Sequence, residues 1–188
     1  MRAEKETGMS KRLGPEAWVV AGLKALAEEG VEEVRVERLA VALGVTKGSF
    51  YWHFADRKAL LDAILAAWQA RATEDVIAQV EATAGNARAR MHELMTIVFS
   101  SDGRIDRQVR AWAANDDAVQ AAVDIIDKKR TGYLERLLIA DGFGKPEARA
   151  RARFAYHALI GQFAMARGKG RRAKDELELV FAMLVAKV

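Results

Sequence analysis

A short segment near residue 50 carries side chains whose types and spacing suit contact with a nucleic acid. Gly44 to Thr46 separate two short helical segments, residues 36–43 and 47–53, which is the spacing of a helix-turn-helix. Gly44 stands where a helix end favours a left-handed backbone, and the Thr46 hydroxyl can cap the next helix. The second segment leaves one cation, small residues, aromatics and a histidine for its outer surface. Such a surface is poor for catalysis and suits the DNA major groove with its flanking phosphates.

The predicted DNA-contacting residues lie in the second helix and at the start of the helix that follows. Lys47 is expected to reach a base edge or a phosphate, and Gly48 to let the backbone approach the bases. Tyr51 and His53 are expected to contact phosphates, with packing in the core as the alternative. Trp52 is either a partly buried aromatic or an exposed ring at the groove edge. The full predicted set is Thr46, Lys47, Gly48, Ser49, Tyr51, Trp52, His53, Arg57 and Lys58.

The segments around this motif extend the pattern over about residues 13 to 65. A helical repeat of apolar residues opens at Pro15 and closes at Gly30, and Asp56 is placed to cap a long third helix. This third of the chain resembles the N-terminal domain of the TetR family of transcriptional regulators. The resemblance rests on Leu26, Ala27, Gly30, Leu39, Ala40, residues 43–46, residues 50–54, Leu60 and Leu61. Arg57 departs from the lysine that is usual there, which keeps the charge and changes the hydrogen-bond geometry.

Composition and periodicity predict an all-α fold. Only 2 prolines and 14 glycines interrupt 188 residues, and no strand-like alternation of β-branched residues occurs. The breaks predict about nine helices, an order that the resemblance also implies. We expect an N-terminal three-helix helix-turn-helix domain at residues 10–56, which binds DNA. A C-terminal helical bundle at residues 57–188 is expected to bind an effector and to dimerise.

Several classes of protein are disfavoured by the composition. The absence of cysteine excludes a disulfide scaffold and is compatible with the cytoplasm, where we expect the protein. No signal peptide and no run of about 18 apolar residues is found, so no membrane partner is expected. His92 and Glu93 begin like a metalloprotease helix, but Thr96 stands where the second histidine is needed. We therefore expect no metal, no cofactor and no catalytic residue.

Net charge alone would not indicate a nucleic-acid partner. The whole chain carries +4, and residues 1–60 hold 10 lysines and arginines against 9 acidic residues. Any positive surface must therefore be local.

The last two predicted helices point to a second copy of the chain. Residues 179–185 are apolar on every side, and a helix of that kind is buried on every side. One face would pack on the core and the other on a partner, as the dimers of the resembled family imply. A second face of the preceding helix carries Phe154, His157, Ala158, Gly161 and Met165. The predicted interface consists of Tyr156, Leu159, Phe163, Leu177, Val180, Phe181 and Leu184.

Methionines and aromatics between residues 68 and 157 have two interpretations. They fill an ordinary helical core, or some of them line an apolar cavity for a small effector, as the resemblance implies. The predicted effector site consists of Met91, Met95, Trp112, Ile126, Tyr133 and His157, with the last two as polar anchors.

These features together predict a ligand-responsive transcriptional repressor. A homodimer would bind a pseudo-palindromic operator in double-stranded DNA and leave it when a small apolar ligand binds. A regulator that activates transcription or responds to a protein partner is the alternative in the same class. A small all-α binding protein or enzyme is the alternative from another class, weakened by the absence of a paired nucleophile and base.

Overall fold

The computed structural model describes residues 13–165 and 174–187, and within these ranges the chain is helical with no strand. The all-α prediction is confirmed. A 3₁₀ turn, Val31–Glu33, follows the first helix, and a π-helical turn, Ala70–Glu74, joins the fourth helix to the fifth. The helices are α1 Pro15–Glu29, α2 Val36–Leu43, α3 Lys47–Phe50, α4 Arg57–Gln69, α5 Asp75–Ala82, α6 Ala87–Ser100, α7 Arg104–Ala113, α8 Asp117–Ala140, α9 Lys145–Met165 and α10 Lys174–Val185. Since α4, the π turn and α5 run on without a break, the described part forms nine rods.

The helix ends follow the local signals in the sequence. Gly44 ends α2 with φ 68°, a left-handed conformation that favours glycine, and the N–H of Val45 donates to Ala40 O at 3.0 Å. Asp56 caps α4 by accepting from the N–H of Ala59 at 2.8 Å. Thr46 holds the predicted N-cap position of α3, but its side chain does not accept the predicted capping hydrogen bond.

One aromatic side chain organises the N-terminal unit, which we define as α1, α2, α3 and the first two turns of α4. Phe50 is fully buried and meets the Trp18 ring edge-on at 5.2 Å. Phe54 stacks on the other side at 5.4 Å. Burying a side chain of this size contributes about 1.5–3 kcal/mol. Because Phe50 is the last residue of α3, this packing fixes the short helix against α1.

The core of the N-terminal unit continues into the rest of the chain. Leu60, Ile64 and Trp68 of α4 belong to the same buried cluster as Val109 of α7 and Ile126 of α8. A second cluster lies further along, between α5, α6, α8 and α9, with α10 at its edge. The rod formed by α4, the π turn and α5 therefore contributes side chains to both buried clusters. The predicted domain boundary at residue 57 stays a prediction.

A buried ionic cluster lies where the π turn interrupts the α4 rod. Arg130 of α8 donates to Asp106 Oδ1 of α7 at 2.6 Å, to Thr73 Oγ1 at 2.9 Å and to the carbonyl oxygen of Ala72 at 3.1 Å. Its guanidinium also lies over the ring of Trp68, 5.4 Å from the centroid. Hydrogen bonding by an inserted side chain is a known cause of such irregular helix turns. We call Trp68, Thr73, Asp106 and Arg130 the junction cluster.

Candidate DNA-binding surface

The surface beyond α3 presents two aromatic rings to solvent. Trp52 is 86% exposed and Tyr51 is 56% exposed, while Phe50 and Phe54 beside them are buried. The choice that the sequence left open for Trp52 is settled, since the ring lies outside. α3 ends at Phe50, three residues earlier than predicted, and residues 51–53 form a turn in which His53 N donates to Phe50 O at 2.9 Å. The rings therefore stand on a turn that the aromatic core holds in place.

Small and polar groups surround these rings. Thr46, Gly48 and His53 are exposed, and Ser49 is half-buried. A Cβ built on Gly48 would meet only the Thr46 hydroxyl, at 3.7 Å, so the backbone there is open to close approach. The Thr46 hydroxyl makes no capping hydrogen bond and is available to an external partner. Together these groups offer hydrogen bonds and flat apolar surface without a charged nucleophile or base.

Both lysines of the predicted set are held by carboxylates. Lys47 pairs with Glu37 of α2, and Lys58 pairs with Asp62 at 2.7 Å. The hydrogen bond to Glu37 raises the pKa of Lys47, and the same bond lowers the pKa of Glu37. A DNA phosphate would have to displace the Glu37 carboxylate before it could pair with Lys47. Nothing in the sequence marks Glu37 as the partner of Lys47, because the pairing depends on α2 and α3 lying side by side.

Arg57 points into the chain instead of toward solvent. Its Nε donates to Val34 O at 2.7 Å and its Nη2 donates to Val31 O at 2.5 Å. Two carbonyl groups of the 3₁₀ turn are thereby tied to the first turn of α4. The planar guanidinium donates to both from two fixed N–H groups, a geometry that a lysine ammonium does not reproduce, which gives a structural reason for arginine at this position. In this structure the Arg57 side chain holds the N-terminal unit together, and its predicted phosphate contact stays a prediction.

The comparisons with known proteins agree with this geometry. The family model for bacterial regulatory proteins of the TetR family matches residues 19–64. The class A tetracycline repressor from transposon 1721 of Escherichia coli is 42% identical over 53 residues, 28% of this chain and 24% of the repressor. Residues 19–64 of this chain are therefore similar to the N-terminal domain of the TetR family. The chain spans about a quarter of the length of the tetracycline repressors that it matches.

Solved structures extend the likeness in fold to nearly the full length of the chain. The reduced form of Escherichia coli NemR has a TM-score of 0.74 at 19% identity, covering 90% of this chain and 95% of NemR. AibR, solved with isovaleryl coenzyme A and operator DNA, has a TM-score of 0.68 at 20% identity, covering 91% of this chain and 97% of AibR. At these identities the likeness shows the fold, from α1 to the C-terminal helices.

The predicted effector residues do not converge on one site. Met91, Met95 and Tyr133 lie in the second buried cluster, whereas Ile126 and Trp112 belong to the cluster of the N-terminal unit. The Tyr133 hydroxyl donates to Glu81 at 2.8 Å, and burial together with this bond raises the pKa of Tyr133. His157 is the one member of the six that lines the open groove described below. The ordinary-core interpretation therefore suits the other five residues better.

The predicted interface residues mostly face the chain's own core. Tyr156, Phe163, Leu177 and Leu184 are buried, Leu159 and Phe181 are half-buried, and only Val180 is exposed. The reason is that an all-apolar helix does not reveal which face its own core takes. The exposed apolar side chains of these helices are Phe154 and Met165 on α9 and Leu179, Val180 and Met183 on α10. The open face of α9 is thus the second face noted in the sequence.

None of the helices within the described residues combines the length and the apolar character needed to span a membrane.

Proposed function

We propose that this protein is a transcriptional repressor of the cytoplasm that binds double-stranded operator DNA through the surface around α3. The observation that carries the proposal is the exposed pair Tyr51 and Trp52 beside the open backbone at Gly48. Large exposed rings are unfavourable without a partner, and here a rigid aromatic core holds them. The TetR-family match of residues 19–64 and the operator complex of AibR support the same interpretation.

The operator contact requires two copies of the chain. One α3 surface covers a single major-groove segment, and two such surfaces about 34 Å apart match successive grooves of a pseudo-palindrome. The exposed apolar side chains of α9 and α10 suit the contact between the copies. Phe154 is 77% exposed and Met183 is 73% exposed. We therefore place the interface on the open faces of these helices and not on Tyr156, Phe163 and Leu184.

Release from the operator would follow the binding of a small molecule to the C-terminal helices. A ligand shifts the population only by its difference in affinity between the two forms. The ligand and DNA in the AibR complex support this division of labour. The junction cluster joins α7 and α8 to the α4 rod, which is a physical connection between the two parts of the chain.

A gel-shift experiment tests the DNA-binding proposal. Parent protein and the variants Trp52→Ala and Lys47→Ala are titrated onto DNA from the protein's own promoter region at two salt concentrations. We expect the parent to lose affinity as salt rises and Trp52→Ala to lose at least tenfold at both. Lys47→Ala should lose about 1–3 kcal/mol if the lysine reaches a base edge.

Lys145→Ala is the matched control, since Lys145 is an exposed cation at the start of α9. It should bind like the parent. Two outcomes would refute the assignment and favour an all-α binding protein. In the first, the parent protein shifts no DNA; in the second, the Trp52→Ala variant binds DNA as tightly as the parent does.

Sedimentation tests the interface. Met183→Asp places a carboxylate on an exposed position of α10, so the single chain keeps its fold while a dry contact loses several kcal/mol. We expect folded monomers and weaker operator binding. Val20→Asp, an equally drastic change on the exposed side of α1, should leave the dimer intact. An unaltered dimer of Met183→Asp would exclude α10 from the interface.

A further inference from the structure

An open groove of about 700 Å³ runs between α8 and α9. This volume lies in the range of small-molecule sites. The groove lies on the C-terminal part of the chain, away from α3. It is lined by Ile125, Asp127, Lys128, Lys129, Thr131, Gly132, Glu135, Arg136, Arg149, Arg153, Tyr156 and His157.

The groove is electropositive. Five lysines and arginines face two carboxylates in the lining, and both carboxylates already have partners. Asp127 accepts from Arg110 Nη2 at 2.6 Å and from the Tyr156 hydroxyl at 2.7 Å. Glu135 accepts from Arg149 at 3.4 Å. A concave surface with an excess of one charge concentrates ions of the opposite sign.

Three of the five cations have no carboxylate partner among the described residues. Lys128 and Arg136 of α8 and Arg153 of α9 make no ion pair there, whereas Lys129 is held by Glu74. His157 of α9 is exposed beside them. A guanidinium on one wall and an ammonium on the other form a pair of donors suited to a phosphate or carboxylate group.

The remaining lining is apolar or small. Ile125 is exposed at the groove, and Gly132 leaves open backbone where a Cβ would meet only the tip of Arg136, at 3.9 Å. Lysine and arginine stems add further hydrocarbon. An apolar group attached to the anion can therefore pack against these parts of the lining.

The floor of the groove reaches the junction cluster. Tyr156 and Asp127 bond each other and Arg110, whose Nη2 lies 3.0 Å from the Tyr156 hydroxyl. The charge of Arg130, the centre of the junction cluster, also acts on the Tyr156 hydroxyl. A molecule in the groove would thus adjoin polar groups that are coupled by charge to the π turn of the α4 rod.

We propose that this groove is the effector site and that it takes a small organic anion, a phosphate or carboxylate attached to an apolar body. This rests on the proposed function and names its ligand class. It replaces the purely apolar ligand that the sequence suggested, since five of the six residues chosen for that ligand lie elsewhere.

Titration of the full-length protein with 1-naphthyl phosphate tests the site in the absence of DNA. Neutral 1-naphthol is the matched ligand, because it keeps the ring and lacks the charge. We expect saturable binding of the phosphate ester at submillimolar concentration and at least tenfold weaker binding of naphthol. Arg153→Glu and Lys128→Glu should each weaken phosphate-ester binding at least tenfold, and Lys145→Glu, with the same change in net charge, should not.

The same ligand is then added to the operator complex. The parent should lose at least fivefold in operator affinity, which is the lower end of allosteric coupling. Absence of saturable binding, equal binding of naphthol, equal binding by Arg153→Glu, or an operator affinity that the bound anion leaves unchanged would each overturn the proposal. A chain that binds the anion through Arg153 and binds no DNA would support the anion site and contradict the proposed function.

Discussion

The N-terminal unit and the junction cluster are held together by different kinds of contact. In the N-terminal unit, Trp18 and Phe50 pack ring against ring and are fully buried. At the junction cluster, a carboxylate and a guanidinium are buried together, and Asp106 and Thr73 are the buried polar residues of the described chain. Close packing holds the aromatic rings by their shape, whereas the buried ion pair is stable only while each charge keeps its partner. We expect the first region to present the α3 surface and the second to connect α7 and α8 with the α4 rod.

Breaking the buried ion pair should have the largest effect. Asp106→Ala leaves Arg130 buried without its carboxylate, which costs about 3–5 kcal/mol of unfolding free energy. Attraction by Asp106 otherwise overcomes the burial that opposes charge on Arg130 and keeps the pKa of Arg130 raised. Urea denaturation measures the loss. The double variant Asp106→Leu with Arg130→Met, which removes both charges, should lose much less; an equal loss would show that packing and not charge holds the junction.

A second prediction separates the two assignments of Arg57. Arg57→Lys loses the fork that reaches Val31 O and Val34 O, so we expect a loss of about 1–3 kcal/mol in stability. Thermal unfolding should show a lower Tm, while the neighbouring exposed change Lys58→Arg leaves the Tm in place. If Arg57→Lys keeps its Tm and instead weakens binding to all DNA sequences, the phosphate contact predicted from sequence is right.

Freeing Lys47 should strengthen DNA binding. Glu37→Gln removes the exposed carboxylate that holds Lys47, so the ammonium becomes available to a phosphate. We expect a several-fold gain in operator affinity and a steeper salt dependence, by up to about 0.9 in the slope. Glu176→Gln makes the same charge change on an exposed part of α10 and should leave the slope as it is. A Glu37→Gln variant with the parent's slope would show that Lys47 does not contact phosphate.

The last expected effect is absent at neutral pH and appears only at alkaline pH. Burial and the hydrogen bond donated to Asp127 raise the pKa of Tyr156 to about 12, against the attraction of Arg130. In the unfolded chain the phenol ionises near its ordinary value of about 10. The stabilising contribution of Tyr156 is therefore complete below about pH 10 and is lost as pH rises toward 12. Tyr156→Phe should show a shallower alkaline fall in unfolding free energy than the parent; identical slopes in urea denaturation between pH 9 and 11.5 would contradict the raised pKa.

The sequence predicted the features that depend on neighbouring residues. Gly44, Asp56 and the apolar spacing around Phe50 act within a few positions, so the helix-turn-helix, the end of α2 and the cap of α4 could be placed without coordinates. Arg57 differs because its acceptors lie 23 and 26 residues away. The choice of which helix faces pack together likewise depends on residues that are distant in sequence. An apolar residue such as Phe163 or Met95 carries no mark of which core it joins, and only tertiary packing places it.

The central claim is that two copies of the α3 surface read a pseudo-palindromic operator. Selection of binding sites from a random DNA library with full-length protein tests this most directly. The account predicts an enriched inverted repeat whose half-site centres are about one helical turn, roughly 34–36 Å, or a multiple of it apart. The enrichment should disappear for Trp52→Ala and persist for Lys145→Ala. Selection of a single half-site, of no sequence at all, or of the same repeat by Trp52→Ala would contradict it.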